Sequence, residues 1–348
     1  MGKCTVKAGV LKDVNEVRYM TVADPDLGAG DMLIKVKAAT ICGTDIRILR
    51  GRKTAGVRYP SILGHEFSGV VADAGGDARF TAGQAVCACP QFGCGHCDYC
   101  MRGVENLCSN LTAMGYQLDG AFAEYVRIPA AAVRAGHVMA MPEGVSFETA
   151  ALAEPLACVM NGQELAEVRM GDVVAILGAG PIGILHVKLA RLAGARRIIV
   201  SEPSELRRHA ALVEGADIVL DPAAGDLAGQ MRSATSGQGA DVTILAVGVP
   251  ALASQAVDLA RKRGRISLFA GFSRDDTAVM DVNAIHYNEL KITGSFGLTR
   301  LQFTRALALI ASGRLNLGSL LTHRFGLSEI EQALRVAEQG AAIKVAII

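Results

Sequence analysis

The sequence has almost no net charge: 35 lysines and arginines stand against 34 aspartates and glutamates in 348 residues. No overall field draws it to a phosphate backbone or an anionic membrane, so no nucleic-acid partner is expected. Long apolar runs are missing as well. None of the roughly 7 to 15 apolar residues of an export signal follows the lysines of the N-terminal MGKCTVKAGVLKD, and no later stretch reaches the roughly 18 that a membrane span needs. A soluble, cytoplasmic protein with no membrane partner is expected. Fixed-period repeats and low-complexity linkers are also absent, which argues against a repeat array.

What is present fits two domains, one of them able to interrupt the other, given the length and the 51% of hydrophobic residues available for cores. Nine cysteines, an odd number, read as metal ligands plus free thiols rather than a disulfide framework. Up to about residue 150, short runs such as MLIKVKAAT, GVVADAGG and AFAEYVRIP are broken by Gly and Pro, the texture of a β-rich, barrel-like domain. From about residue 170, VVAILG, RIIVSE, DIVLD, DVTILAVG and RISLFAG alternate with helical segments, and LKITGS is a candidate sixth run. Buried strands alternating with helices predict an α/β domain with a parallel sheet covered on both faces. After about residue 297 a helix and tail leave that rhythm.

Gly178, Gly180 and Gly183 form G-x-G-x-x-G between an apolar strand and an amphipathic helix. The first permits a tight turn, the second admits a pyrophosphate to the backbone, and the third lets the helix lie against the sheet. The helix N-terminus offers free N–H groups and a positive dipole end to the phosphates. Glu202 closes the next strand nineteen residues after Gly183, where a carboxylate accepts hydrogen bonds from a ribose and repels a 2′-phosphate. NAD is favoured over NADP, although Arg207 and Arg208 follow closely enough to reach a phosphate.

Cys94, Cys97, Cys100 and Cys108 are spaced C-x2-C-x2-C-x7-C, which suits one tetrahedral Zn2+. Four thiolates fill every position, so such a site is structural rather than catalytic; a redox dithiol or a small iron–sulfur cluster are the alternatives, and His96 could replace one thiolate. A catalytic metal needs an open position. Cys42, His65, Glu66 and Glu154 are scattered donors of mixed type that could hold Zn2+ and leave room for water or an alcohol. Adjacent residues point to opposite faces of a regular strand, so His65 and Glu66 ligate together only if the backbone there is irregular. Glu66 and Glu154 therefore compete for the ligand role and a supporting one.

CGTD, GHEFSG, the four-cysteine lobe, DGAFAEYVRIP, EPLAC, GAGPIG and THRFGLSEIEQAL occur in an order that resembles the zinc-containing medium-chain dehydrogenase/reductase family across essentially the whole chain. The resemblance implies a GroES-like catalytic domain built from residues 1–154 and 297–348, a Rossmann domain over 155–296, and an active site in the cleft. It further implies two Zn2+ per chain, one catalytic and one structural, and a homodimer or homotetramer. Pro181, Ile182 and Val247 fall in family cofactor-binding positions. Glu154-Pro155 is similar to the sorbitol dehydrogenase branch; the threonine dehydrogenase branch shares CGTD and THRF but typically has aspartate before the proline. The implied reaction takes hydride from a secondary hydroxyl of a polyol, sugar or sugar derivative to NAD+, with an L-threonine-type amino alcohol, a sugar phosphate or a sugar acid as alternative substrates.

By the same resemblance Thr44 passes the alcohol proton outward and Asp45 orients His65, local turn bonding being the other reading of both. One departure stands out. Where many relatives carry a relay histidine, this chain has Arg47, which does not titrate near neutrality. Arg47, Arg50, Arg52, Lys53 and Arg58 lie within twelve residues, either a solvated loop or a basic rim for an anionic substrate.

Overall fold

Met32–Thr40 buries Met32 and Ile34 and exposes Lys35 and Lys37, the period-2 pattern of a half-covered strand, until an irregularity in its pairing between Val36 and Ala38. Beyond that point Ala38, Ala39 and Thr40 are all buried. The strand lies inside a seven-stranded sheet in the order Val138–Ala140, Ala85–Ala88, Glu66–Asp73, Met32–Thr40, Lys344–Ile347, Leu321–Phe325, with Tyr125–Ile128 also pairing onto Met32–Thr40. A three-stranded sheet of Glu16–Ala23, Thr5–Asp13 and Ser61–Ile62 completes this part. Phe67, Phe122, Met32, Ile34 and Leu63 are fully buried in its core, each worth about 1.5–3 kcal/mol of apolar burial.

The computed structural model describes residues 5–273 and 276–348. They form two units, one made of the chain up to Ala157 together with Leu298–Ile348, the other of Cys158–Gly297. Two strands of the C-terminal segment, Leu321–Phe325 and Lys344–Ile347, pair with each other in parallel, and the second joins Met32–Thr40.

The second unit is a six-stranded parallel sheet in the order Ile218–Leu220, Arg197–Ser201, Val173–Leu177, Ala240–Leu245, Ala260–Leu268, Lys291–Gly294. All five residues of Val173–Leu177 are buried, as a central parallel strand covered on both faces requires. The order turns back on itself at Val173–Leu177, the strand that carries the glycine-rich turn, which is the switch point of a Rossmann sheet. LKITGS supplies the sixth strand, Lys291–Gly294.

No helix among the described residues is long and apolar enough to cross a membrane. The described cysteines are all free thiols; Cys4 lies outside the described residues.

Candidate active site

Cys42 is the N-cap of the helix Gly43–Leu49, and its sulfur accepts a hydrogen bond from the Thr44 N–H at 3.5 Å. Asp45 completes the cap: its Oδ2 accepts from the Cys42 N–H at 2.9 Å, which fixes the cysteine at the helix entrance. The other oxygen of Asp45 faces His65 Nδ1 at 3.5 Å and accepts from the Gly64 N–H at 3.3 Å. Asp45 is fully buried, and the Nδ1 that it faces is itself buried with no closer hydrogen-bond partner among the described residues.

His65 and Glu66 can both face this point because the strand begins only at Glu66. Gly64, just before, has φ +95°, a conformation that glycine adopts without strain, and it turns His65 out of the strand alternation. One donor atom each from Cys42, His65 and Glu66 lies within 4.8 Å of the others. Burial disfavours a charged His65, but the negative charges of Asp45 and Cys42 outweigh it and hold its pKa well above the ordinary value. The same field attracts a cation. A cysteine sulfur, an imidazole and a carboxylate with donor atoms this close are a donor set that fits Zn2+.

Thr40, paired across the strands with Glu66, donates its hydroxyl to that carboxylate. Lys344 lies two residues from Ala346, the partner of Thr40 on the other side, and its Nζ reaches Glu66 Oε1 at 2.8 Å and Oε2 at 2.5 Å. Both side chains of this ion pair are at most 3% exposed.

Between the short paired strands Gln91–Phe92 and Thr112–Ala113 lies the four-cysteine lobe. The donor atoms of Cys94, Cys97, Cys100 and Cys108 also lie within 4.8 Å of one another. Backbone amides turn toward the sulfurs: Cys94 and Asn110 donate to Cys108 at 3.2 and 3.3 Å, and Cys97 donates to Cys94 at 3.4 Å. The N–H groups of His96 and Cys97 draw the Cys94 thiol down to about 6, toward the thiolate that a metal binds. The His96 ring instead contacts the Cys94 carbonyl at 2.9 Å.

In the second unit the three glycines of the turn differ in their surroundings. Gly178 has φ +103°. A Cβ on Gly183 would stand 2.0 Å from the Gly178 carbonyl oxygen, so only glycine lets the helix lie this close. A Cβ on Gly180 would meet nothing within 4 Å, which leaves the open space a phosphate would fill. Pro181 opens the helix Pro181–Leu192 at its first turn, with Ile182 next and Gly180 as its cap.

Two domain families match the chain. Residues 28–143 match the alcohol dehydrogenase GroES-like domain, and residues 181–312 match the zinc-binding dehydrogenase domain. Scyllo-inosose 3-dehydrogenase of Thermotoga maritima is 34% identical, over 100% of this chain and 93% of that protein. This chain belongs to the zinc-containing medium-chain dehydrogenase/reductase family. L-threonine 3-dehydrogenase of Pyrococcus furiosus is 35% identical over 92% of each chain. Among solved structures, a zinc-binding dehydrogenase from Sinorhizobium meliloti 1021 bound to NADP superposes with a TM-score of 0.92 at 34% identity, covering 99% of this chain and 100% of that one.

The other residues singled out by the motifs of this zinc dehydrogenase family have the following surroundings. Glu154 opens the helix Ala153–Leu165 and is buried, but it stands outside the Cys42, His65 and Glu66 group. Its charge still reaches the centre: burial opposes but Glu66 chiefly raises the Lys344 pKa, and burial chiefly raises that of Tyr116, with Glu154 a lesser contributor to both. Glu202 is 5% exposed, and both its oxygens already accept backbone hydrogen bonds, from Ala179 at 2.8 Å and Ser204 at 2.9 Å. It therefore braces the glycine-rich turn in addition to any contact with a ribose. Arg208 does not extend toward a phosphate: its guanidinium is held by the carbonyls of Glu202 and Pro203 and by Asp221. Val247 packs beside Gly178.

Sequence reasoning missed Lys344, Thr40 and Tyr116. The signal for Lys344 was a lone cation inside the apolar AAIKVAII, which cannot be buried without a partner.

Proposed function

We propose that this protein oxidises a secondary hydroxyl of a polyol, sugar or sugar derivative with NAD+ as the hydride acceptor. The grouping of Cys42, His65 and Glu66 beside a buried Asp45 carries this reading. Cys42, His65 and Glu66 would hold Zn2+, a Lewis acid that would lower the pKa of a substrate hydroxyl, and the Gly178–Gly183 turn would hold NAD+, the hydride acceptor.

The chain's own residues do the rest. With Zn2+ in place of the second proton, Asp45 would accept from His65 Nδ1–H and present Nε2 to the metal. Thr40 and Lys344 restrain Glu66, so it is the first choice over Glu154 for the third ligand. Thr44, at the second position of the helix that Cys42 caps, takes the hydroxyl proton of the substrate. An arginine cannot act as the relay base near neutrality, so that proton leaves through water. Cys94, Cys97, Cys100 and Cys108 would hold a second, structural Zn2+. Glu202, at the end of the strand after the glycine-rich turn, supports NAD over NADP because its charge would repel a 2′-phosphate, whereas the Sinorhizobium relative binds NADP.

A threonine-type amino-alcohol dehydrogenase is the second reading, favoured by the likeness to the Pyrococcus furiosus enzyme. Glu154 before Pro155 supports the polyol reading instead. NAD+ reduction over a panel of alcohols, polyols, sugar acids, sugar phosphates and L-threonine, with and without a chelator, separates them. Turnover confined to L-threonine selects the second reading, and full activity after complete zinc removal overturns both.

A further inference from the structure

Five cations cluster between Arg47 and Arg58, and their partners sort them. Arg50 is held by Glu338 and Asn15, and Arg58 by Asp119 at 3.0 Å. Arg52 is exposed and lends its charge to Glu338. Lys53 differs: half-buried, it has no carboxylate partner among the described residues, and its ammonium stands 5.3 Å from the centroid of the Tyr116 ring, within the range of a cation–π contact. Tyr116 also neighbours His65, ring to ring at 5.7 Å. The tyrosine thus bridges the ammonium to the proposed zinc ligand. Arg47 shares a face of the helix Gly43–Leu49 with Thr44, three residues before it, and the Lys53 backbone N–H bonds the Arg47 carbonyl at 3.2 Å.

We propose that Lys53, with Arg47 beside it, receives an anionic end of the substrate, which narrows the substrate class to polyhydroxy acids or sugar phosphates. The inference rests on the metal-centred reading above. Two cations held together without a carboxylate on Lys53 are an unfavourable arrangement that a bound anion relieves. Burial and the Arg47 charge together hold the Lys53 pKa below its ordinary value, in keeping with that cost. Tyr116 touches both Lys53 and His65, so a substrate with its reacting hydroxyl at the metal group and its charge at Lys53 would pass beside that ring. Carboxylate and phosphate share the chemistry that this pair recognises, through charge-assisted hydrogen bonds.

Calorimetric titration of the zinc-loaded protein with NAD+ tests this, using gluconate, sorbitol 6-phosphate and sorbitol as probes, alongside NAD+ reduction with each. At low salt at least one anion is expected to bind about ten- to a hundredfold more tightly than sorbitol, the range of a hydrogen bond to a charged group. Lys53→Met should remove most of that ratio and Lys53→Arg should keep it, and added salt should compress it. Sorbitol binding as tightly as both anions, or Lys53→Met weakening all three alike, overturns the proposal. Lys53-dependent anion binding without turnover of any probe upholds it and counts against the dehydrogenase reading. Turnover of sorbitol with no Lys53-dependent anion binding does the reverse.

Discussion

Replacing Lys344 with methionine removes one partner of an ion pair that has almost no access to water. Lys344 and Glu66 are 3% and 1% exposed in their side chains, and a buried carboxylate stripped of its cation costs about 3–5 kcal/mol. The Thr40 hydroxyl still donates to Glu66, which places the expected loss near the lower end, about 3 kcal/mol. A unit of this size loses about 2–4 °C of Tm per kcal/mol, so its transition should fall by about 6–12 °C. Differential scanning calorimetry suits the measurement, because two units need not melt as one. The double substitution Lys344→Met with Glu66→Gln leaves no unpaired charge and should recover most of the loss, giving a coupling energy of the same order. A Lys344→Met protein melting within about 1 °C of the parent, or a double variant whose loss equals the sum of the singles, would refute the claim that this pair holds Glu66.

Three other outcomes are expected. Burial lowers the pKa of His186 to about 3, and burial with the Arg300 charge lowers that of His137 to about 4; both folded values lie below the unfolded value of about 6.5. Their neutral forms fit the fold, so stability is complete above about pH 6.5 and is lost as pH falls toward the folded values, by about 2 kcal/mol for each histidine at pH 5. Denaturation midpoints at pH 7.5 and pH 5 check this, and His186→Gln should flatten the slope; an unchanged slope would contradict it. Glu202→Ala should lower the NAD-to-NADP ratio of kcat/KM by at least about tenfold, one hydrogen bond to a charged group, and should also loosen the glycine-rich turn that it braces. An unchanged ratio in a folded protein would count against its contact with the ribose. Gly183→Ala, whose new Cβ would meet the Gly178 carbonyl at 2.0 Å, should abolish NAD+ binding measured by titration, and NAD+ binding at parental affinity would show that the helix can move aside.

The parts of the site written in local spacing were legible in the sequence. Four cysteines within fifteen residues and three glycines within six converge because the intervening chain is too short to do otherwise. Cys42 and His65 were legible by residue type alone. Of their surroundings, Asp45 was named only by resemblance, and Thr40 and Lys344 were not named at all. Whether Glu66 could stand beside His65 turned on the backbone at Gly64, and the strand pattern argued against it until the structure showed the strand starting one residue later. Lys344 lies 278 residues from Glu66 in the chain, so nothing near either residue announces the other. The basic segment was legible as a charge count, but Glu338 and Asp119, remote in sequence, decide which cations it spends on the fold.

The central claim separates two metal sites by role, and the zinc content of two variants, measured with their turnover, tests it most directly. The parent should carry two zinc ions per chain, and Cys42→Ser should carry one, bind NAD+ as before and lose about a thousandfold or more of its turnover, the worth of a Lewis acid supplying several kcal/mol. Cys97→Ser should lose the other ion and with it stability or assembly, while its folded fraction keeps turning over. A Cys42→Ser protein with two zinc ions and parental turnover would contradict the account.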